Sequence, residues 1–151
     1  MPLYIAPIVA GIQAILAKYM PDLLAAQGAG YPAFTEIGAE FTGIMPNPPQ
    51  AWVMPVRTSI DDSGNSLFEA HKVTAKFVVT ASDPEHIPPM AMAYMQAITD
   101  AIDMAAPSDW GGVIPNHVHV YEHDYGALYE RGGVMARFPE AHIEIEVNEL
   151  G

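Results

Sequence analysis

The sequence predicts an α+β domain, a mainly antiparallel sheet with two helices packed on one face. Three observations support this fold class: two apolar segments have helical spacing, several segments alternate apolar and polar residues, and glycine and proline clusters separate them. The chain has 151 residues, of which 50% are hydrophobic, so a single domain spanning 1–151 with a sizeable core is expected.

The first predicted element is a helix near the beginning of the chain. Pro7 suits a first helical turn, Pro21 is expected to end or kink the helix, and AAQGAG at 25–30 is expected to stop it. The helix is apolar enough to pack under the sheet or against a neighbouring subunit. Its apolar residues recur every three or four positions, at Ile8, Ile12, Ile15, Leu16, Tyr19, Leu23 and Leu24.

A stretch rich in glycine and proline follows at 28–50. We expect a short strand around Phe34–Ile37. The prolines Pro46, Pro48 and Pro49 predict an irregular loop before the next strand.

Two strands are predicted next, at 51–58 and 67–82, joined by a hairpin turn or a longer flexible loop at 60–66. Pro55 indicates an edge strand or a bulge. In the first strand the residues expected to point inward are Trp52, Met54 and Val56. In the second strand one face holds His71, Val73, Ala75, Phe77 and Val79, and the other holds Lys72, Thr74, Lys76, Val78 and Thr80.

The second helix is predicted within 82–107. Ser82 or Asp83 is expected to cap it, and Pro88 or Pro89 fits its first turn. Small alanines in the apolar stripe allow this helix to approach the sheet closely. The stripe consists of Met90, Tyr94, Ala97, Ile98, Ala101, Ile102 and Ala105.

The rest of the chain predicts two or three further strands, at 118–123, 141–149 and, as the third, 132–138. Alternation in the last strand separates an inward set from an outward set. The inward residues are Ile143, Ile145 and Val147, and the outward residues are His142, Glu144 and Glu146.

The segment HVHVYEHDYG at 117–126 raises the question of a metal site. If the strand is regular, His117, His119 and His123 share one face, but His123 lies ~13 Å from His119, too far to bind the same ion. His117 and His119 would therefore need a third ligand. A solvated or interface strand face is favoured over a metal site. The possible third ligands are His71, His86 and His142.

Other patterns typical of catalysis are weak. The sequence has no cysteine, no Gly-rich phosphate loop with a lysine and no G-x-S-x-G motif. The run Asp61–Asn65 is similar to a calcium loop, but Lys72 stands where that loop needs glutamate, so a hairpin tip is the better interpretation. We predict that the chain is not an enzyme and has no catalytic, cofactor-binding or metal-ligating residue.

The chain is strongly acidic, with a formal charge of −12 from 18 acidic and six basic residues. Such a surface repels phosphate groups, so tight binding to nucleic acid or anionic membranes is not expected. The apolar first segment lacks a basic start, carries Lys18 where a signal peptide would be cleaved, and is interrupted by Pro7 and Gly11. We expect a soluble, cytoplasmic protein without a membrane span.

Several short motifs occur in a recognisable order along the chain. They are Trp52-Val53-Met54-Pro55 in a strand, Asp83-Pro84-Glu85 before the second helix, Asp124-Tyr125-Gly126 after a strand, Gly132-Gly133 with Arg137, and HIEIEV at 142–147. This order resembles that of phage tail terminators, a family of tail-completion proteins that join head and tail. The resemblance covers nearly the whole chain, and the proline-rich loop and the very apolar first helix depart from it.

The resemblance implies a structural virion protein that forms a ring, commonly a hexamer, on the end of the tail tube. Its implied partners are copies of itself, the tail tube protein and a neck or connector protein. DNA would pass through an acidic lumen without tight binding. The implied location is the tail or neck of the virion, after assembly in the host cytoplasm.

A closed ring needs two different contact patches on each subunit. The candidate segments are the first helix, the proline-rich loop and the strand edges. The hairpin at 59–67 is a further candidate, for contact with the tube or a neighbour.

Two other hypotheses remain open at the level of the sequence. The chain could be another neck or connector subunit, or a small metal-binding enzyme centred on His117 and His119. In a ring, mildly acidic pH would charge the histidines among carboxylates and could alter the contacts between subunits.

Overall fold

The computed structural model describes residues 4–40, 48–63, 66–113 and 115–150. It confirms the α+β class. Short 3-10 helices, Pro84–His86 and Pro107–Trp110, flank α2. The main elements are α1 (Ile5–Gln27), β1 (Ile37–Gly38), β2 (Gln50–Ser63), β3 (Ser66–Ala81), α2 (Ile87–Met104), β4 (His117–Asp124), β5 (Leu128–Arg131), β6 (Val134–Arg137) and β7 (Glu140–Leu150).

The sheet is almost entirely antiparallel. Its order is β1-β2-β3-β7-β4, and only the short β1–β2 pairing is parallel among the described strands. β3 is long enough to share one edge between two partners: β7 pairs along 66–76 and β6 along 79–81. β5 completes a small hairpin with β6. The β5–β6 hairpin therefore extends the sheet beside the end of β3.

Both helices pack on one face of the sheet, as predicted. The central strands β3 and β7 supply the sheet side of this core, and the predicted inward sets of both strands are confirmed. Among the fully enclosed residues are Ile8, Ile12, Ile15 and Leu16 of α1, Ala97, Ile98 and Ala101 of α2, and Val73, Phe77, Ile143 and Ile145 of the sheet. Burial of this apolar surface is the main stabilising contribution that the fold shows.

The predicted inward set of β2 is wrong. Pairing with β3 places Val53 opposite Ala75, so Ala51 and Val53 face the helices. Trp52 points to the other side of the sheet. There it is buried in a second cluster with Val78 of β3 and Ala136 of β6. Of the other two residues, Met54 is half-buried beside this second cluster and Val56 is 64% exposed. Because both faces of β2 are buried near Trp52, the alternation of apolar and polar residues cannot identify the face that packs on the helices there.

α1 continues through Pro21 and ends at Gln27, so the helix does not stop at the proline, and the expected end at 25–30 is confirmed. Pro21 is exposed, and a missing helix hydrogen bond is less costly on the solvent side. The helix ends where glycine permits a left-handed conformation: Gly28 has φ 74°, and its N–H donates to the carbonyl of Ala25 at 3.1 Å.

α1 is also long and apolar enough to cross a membrane, judged by length and mean hydropathy alone. Its most apolar side, however, packs into the core of the domain, and Ile8, Ile12, Ile15 and Leu16 are 0% exposed. Core helices of globular domains commonly have such a composition, so the burial favours a core helix.

The segment 60–66 is mostly strand, not the turn or flexible loop that was expected. β2 and β3 stay paired as far as Ser63 and Ser66, which lie opposite each other. The tip of the predicted hairpin, at Gly64 and Asn65, lies outside the described residues. The bulge expected at Pro55 is confirmed, because the β2–β3 register shifts between Pro55 and Arg57.

The elements around α2 agree with the prediction in most respects. The side chain of Asp83 accepts a hydrogen bond from the N–H of Glu85 at 3.0 Å, and Pro88 and Pro89 lie in the first turn. The cap serves the short 3-10 helix that leads into α2.

Two smaller expectations need correction. The short strand expected around Phe34–Ile37 is Ile37–Gly38. The strand expected at 132–138 is shorter, Val134–Arg137, and β5 was not predicted at all. In the proline-rich loop, Pro46 lies outside the described residues.

Candidate functional site

The helix-free face of the sheet carries two of the three histidines that stood out in the sequence, His117 and His119. His117 and His119 of β4 lie opposite Glu146 and Glu144 of β7. The two imidazole centroids are 4.5 Å apart. His117 is exposed and His119 is half-buried, which agrees with the expected solvated strand face. Alternating histidines and carboxylates thus form a polar ladder across β4 and β7.

His123 does not lie on this face, contrary to the prediction for a regular strand. A register shift between Val120 and Glu122 reverses the sides of the residues that follow. His123 pairs with Ala141, and its Nε2 is 2.8 Å from Oγ1 of Thr99 on α2. The third histidine therefore links β4 to the helix layer.

The possible third ligands for His117 and His119 are in three different places. His71 is buried on the helix side of the sheet, and His86 lies in the 3-10 helix before α2. His142 lies on the same face as His119, next to the edge of the Tyr121 ring. Among the described residues, these histidines do not converge with His117 and His119 on one metal position.

A different set of donor atoms does converge. One ligand atom each from Glu122, Asp124 and His142 lies within 4.8 Å of the others. Two carboxylates and an imidazole are suitable ligands for a divalent metal. Glu122 and Asp124 are exposed, however, and His142 is also 3.2 Å from a carboxylate oxygen of Glu140. The sequence did not single out this set, because it depends on the pairing of β4 with β7.

A buried polar cluster under the start of α1 was also missed. Glu69 and His71 of β3 are both 0% exposed, and Oε1 of Glu69 is 2.9 Å from Nε2 of His71. Oε1 also accepts a hydrogen bond from the N–H of Tyr4 at 3.2 Å. On the other side of the imidazole, Nδ1 is 2.9 Å from Oγ1 of Thr58. The cluster connects β2, β3 and the start of α1.

Burial affects the protonation of His71 in this cluster. Loss of solvation lowers the pKa of His71, although the neighbouring carboxylate of Glu69 acts in the opposite direction. The second oxygen of Glu69, Oε2, is buried without a hydrogen-bond partner in the described part of the chain. These features are typical of a structural polar cluster that holds one element on another.

A second polar contact fixes the 3-10 helix after α2. Asp109 accepts hydrogen bonds from Nζ of Lys18 at 2.7 Å, the hydroxyl of Tyr19 at 2.5 Å and the N–H of Ala106 at 2.8 Å. The contacts with Lys18, Tyr19 and Ala106 hold the pKa of Asp109 at about 2. The carboxylate thus joins α1 to the segment between α2 and β4.

The run that is similar to a calcium loop has the wrong geometry for one. Asp61, Asp62 and Ser63 belong to β2, and Lys72 belongs to β3. An extended strand cannot wrap its residues around a single ion as a calcium loop does. The rest of the run, at 64 and 65, lies outside the described residues.

A groove of about 430 Å³ lies between α1 and the segment 33–37. Its lining is mostly apolar, and Glu36 is the one ionisable side chain among the described residues that line it. General acid–base catalysis needs a placed proton donor or acceptor with suitable partners. The groove offers a single carboxylate for this role, so it does not indicate an enzyme reaction.

Comparison with known proteins gives a fold relationship. No protein-family profile matches the sequence, and no curated protein matches it significantly. A chain from the virion of a native gene transfer agent particle is similar in structure, with a TM-score of 0.59 and 14% identity over 94% of this chain and 95% of that chain. A second solved structure, of a protein without a functional description, has a TM-score of 0.51 and 19% identity over 90% and 94% of the two chains. Both identities are low, so these similarities show a shared fold.

Proposed function

We propose that the chain is a structural subunit of a phage-like virion and, more specifically, a tail terminator. In this role it forms a ring on the end of the tail tube and joins the tube to the neck. The observation that carries the proposal is the fold similarity to a chain of the gene transfer agent virion, which extends over 94% of this chain. The more specific role of tail terminator rests on the order of motifs along the sequence, which resembles that of this family.

The charge of the chain is compatible with this role. With 18 acidic and six basic residues, a ring of several copies would be strongly negative. Negative walls repel the phosphate backbone, so DNA could move through the lumen without being retained. The partners in this proposal are other copies of the chain, the tube protein and a neck or connector protein.

A second position within the same virion is the main alternative. A neck or connector subunit would share the structural role and the fold, but it would not close the end of a tail tube. The two positions differ in the partner that the ring binds, and this difference can be measured.

The first experiment is native mass spectrometry of the protein, purified without chelator. The proposal predicts a closed ring, expected to be a hexamer, without stoichiometric metal. Electron microscopy with tail tubes then tests the position, and a terminator is expected to sit on one end of each tube. Binding to the connector but not to tube ends would support the alternative.

Two variants separate the structural role from the metal hypothesis. His117→Ala with His119→Ala removes the original candidate ligands, and Glu122→Gln with Asp124→Asn removes two carboxylates of the converging set. Rings and tube binding are expected to survive both pairs of changes. One metal ion per chain, lost in either variant together with activity on a substrate, would overturn the proposal.

A further inference from the structure

The β5–β6 hairpin, Leu128–Arg137, exposes apolar side chains on one flank of the molecule. Tyr129 is 58% and Val134 48% exposed on the hairpin face that also carries Arg131, and Leu128, 43% exposed, lies on the opposite face. Arg131, at the end of β5, is also exposed, and no ion pair to it is found in the part of the chain that the structure describes. An exposed aromatic residue, aliphatic neighbours and an arginine are characteristic of protein interfaces.

The opposite flank carries a hollow of about 250 Å³, which we call the terminal hollow. It lies between the end of α2, the following 3-10 helix and the start of β4. Asp103 is exposed at this hollow without an ion pair among the described residues, and the adjacent Met104 is 51% exposed. The lining includes Ile102, Asp103, Ala105, Pro107, Trp110 and Val118.

The two surfaces lie at opposite ends of α2. β6 pairs with β3 at 79–81, directly before the segment that leads into α2. The terminal hollow begins where α2 ends. An 18-residue helix is ~27 Å long, so the hairpin and the hollow of one chain are too far apart to meet. A closed ring requires this arrangement, two different patches on opposite flanks of each subunit.

We infer that the β5–β6 hairpin of one copy docks in the terminal hollow of the next copy, with Arg131 facing Asp103. The occupant of the hollow is a second copy because one chain carries both surfaces, and their apolar residues and charges are complementary. The guanidinium of Arg131 matches the carboxylate of Asp103, and the exposed Tyr129 and Val134 match the apolar part of the lining, which includes Ala105, Pro107 and Val118. This inference rests on the ring in the proposed function and assigns its subunit contact.

Engineered cysteines test the contact directly, since the chain has no cysteine of its own. The variant with Val134→Cys and Ala105→Cys is expected to form a ladder of disulfide-linked multimers that ends at the ring size. When the single variants Val134→Cys and Ala105→Cys are mixed, the expected product is a disulfide-linked dimer that contains one chain of each. The matched control pairs Val134→Cys with Ala10→Cys on the exposed side of α1, and no ladder is expected from it.

A charge exchange tests the predicted pair. Arg131→Asp or Asp103→Arg alone is expected to weaken ring association about tenfold or more, measured by analytical ultracentrifugation. Combining the two changes is expected to restore association, because the pair is re-formed with its charges exchanged. Circular dichroism melting of each variant shows whether the subunit itself remains folded.

The outcomes separate this inference from the proposed function. A wild-type ring without a cysteine ladder and without sensitivity to charge reversal overturns the assigned contact and leaves the ring intact. A wild-type monomer that forms no ladder, even at high concentration, overturns the contact and also counts against a self-assembling ring. A ladder together with rescue by the double charge exchange supports the contact.

Discussion

At the scale of single residues, the buried pair Glu69–His71 makes the stability of the domain depend on pH. Burial lowers the pKa of His71 below the ordinary value of 6.5, so the unfolded chain binds this proton more readily than the folded chain. His71 therefore lowers the free energy of unfolding as pH falls from 6.5 toward the depressed pKa of the folded protein. Above pH 6.5, His71 does not lower the free energy of unfolding in this way.

The variant His71→Gln tests this prediction. Urea unfolding at pH 7 and pH 5 is expected to show a smaller loss of stability on acidification than in the wild type. His86→Gln is the matched control, because His86 is exposed in the 3-10 helix before α2. If the free energy of unfolding of His71→Gln changed with pH as it does in the wild type, the imidazole of His71 would not be the cause of the acid sensitivity.

Another residue-scale prediction concerns Asp109, whose pKa is held at about 2 by contacts with Lys18, Tyr19 and Ala106. The stabilisation from this depressed pKa is fully present above about 4 and is lost as pH falls toward 2. Asp109→Asn is expected to be less stable at pH 7 and to lose less stability between pH 4 and pH 2. Chemical unfolding across this range measures the difference, and Asp22→Asn on the exposed side of α1 serves as control. Parallel pH profiles of Asp109→Asn and wild type would contradict the prediction.

At the scale of the elements, α1 is a core helix and not a detachable arm. Ile12 is 0% exposed and packs against the sheet, so Ile12→Ala leaves a cavity that neighbouring side chains fill only in part. The expected loss is about 2–5 kcal/mol of unfolding free energy, measured by urea denaturation. Ala14→Ser, at an exposed position of the same helix, is expected to change stability by less than about 0.5 kcal/mol. Equal effects of the two changes would mean that α1 does not pack on the sheet.

Elements with one buried face could be predicted from the sequence. Features that depend on a neighbouring strand of the same sheet could not. Alternation identified the core faces of β3 and β7 because both lie inside the sheet with one face under the helices. Alternation failed at Trp52, because the face of β2 that points away from the helices is also buried there, in a cluster that includes Ala136 of β6. It also failed at His123, because the bulge in β4 is defined by its register with β7. The converging set Glu122, Asp124 and His142 was hidden for the same reason.

At the scale of the whole molecule, charge is distributed unequally between the two layers. The helix layer and its connections, 4–40 and 82–113, contain Lys18 as their one basic residue apart from histidine. This lysine is paired with Asp109. The other basic residues, Arg57, Lys72, Lys76, Arg131 and Arg137, belong to the sheet and its hairpin. Both parts of the chain are net negative, and the helix layer offers phosphate groups no unpaired cation from lysine or arginine among its described residues.

This distribution predicts that the assembled protein does not retain DNA even at low salt. Fluorescence anisotropy with duplex DNA at about 50 mM salt is expected to show no binding, because binding in this range depends on cations that displace counterions from phosphates. The matched comparison is a variant with Asp22→Lys, Glu85→Lys and Asp100→Lys, which makes the helix layer less acidic without touching Asp103 and is expected to gain salt-sensitive binding. Wild-type binding that weakens steeply as salt increases would reveal a basic DNA contact on the sheet side. Such a contact would make the chain a DNA-gripping connector and not a passive ring.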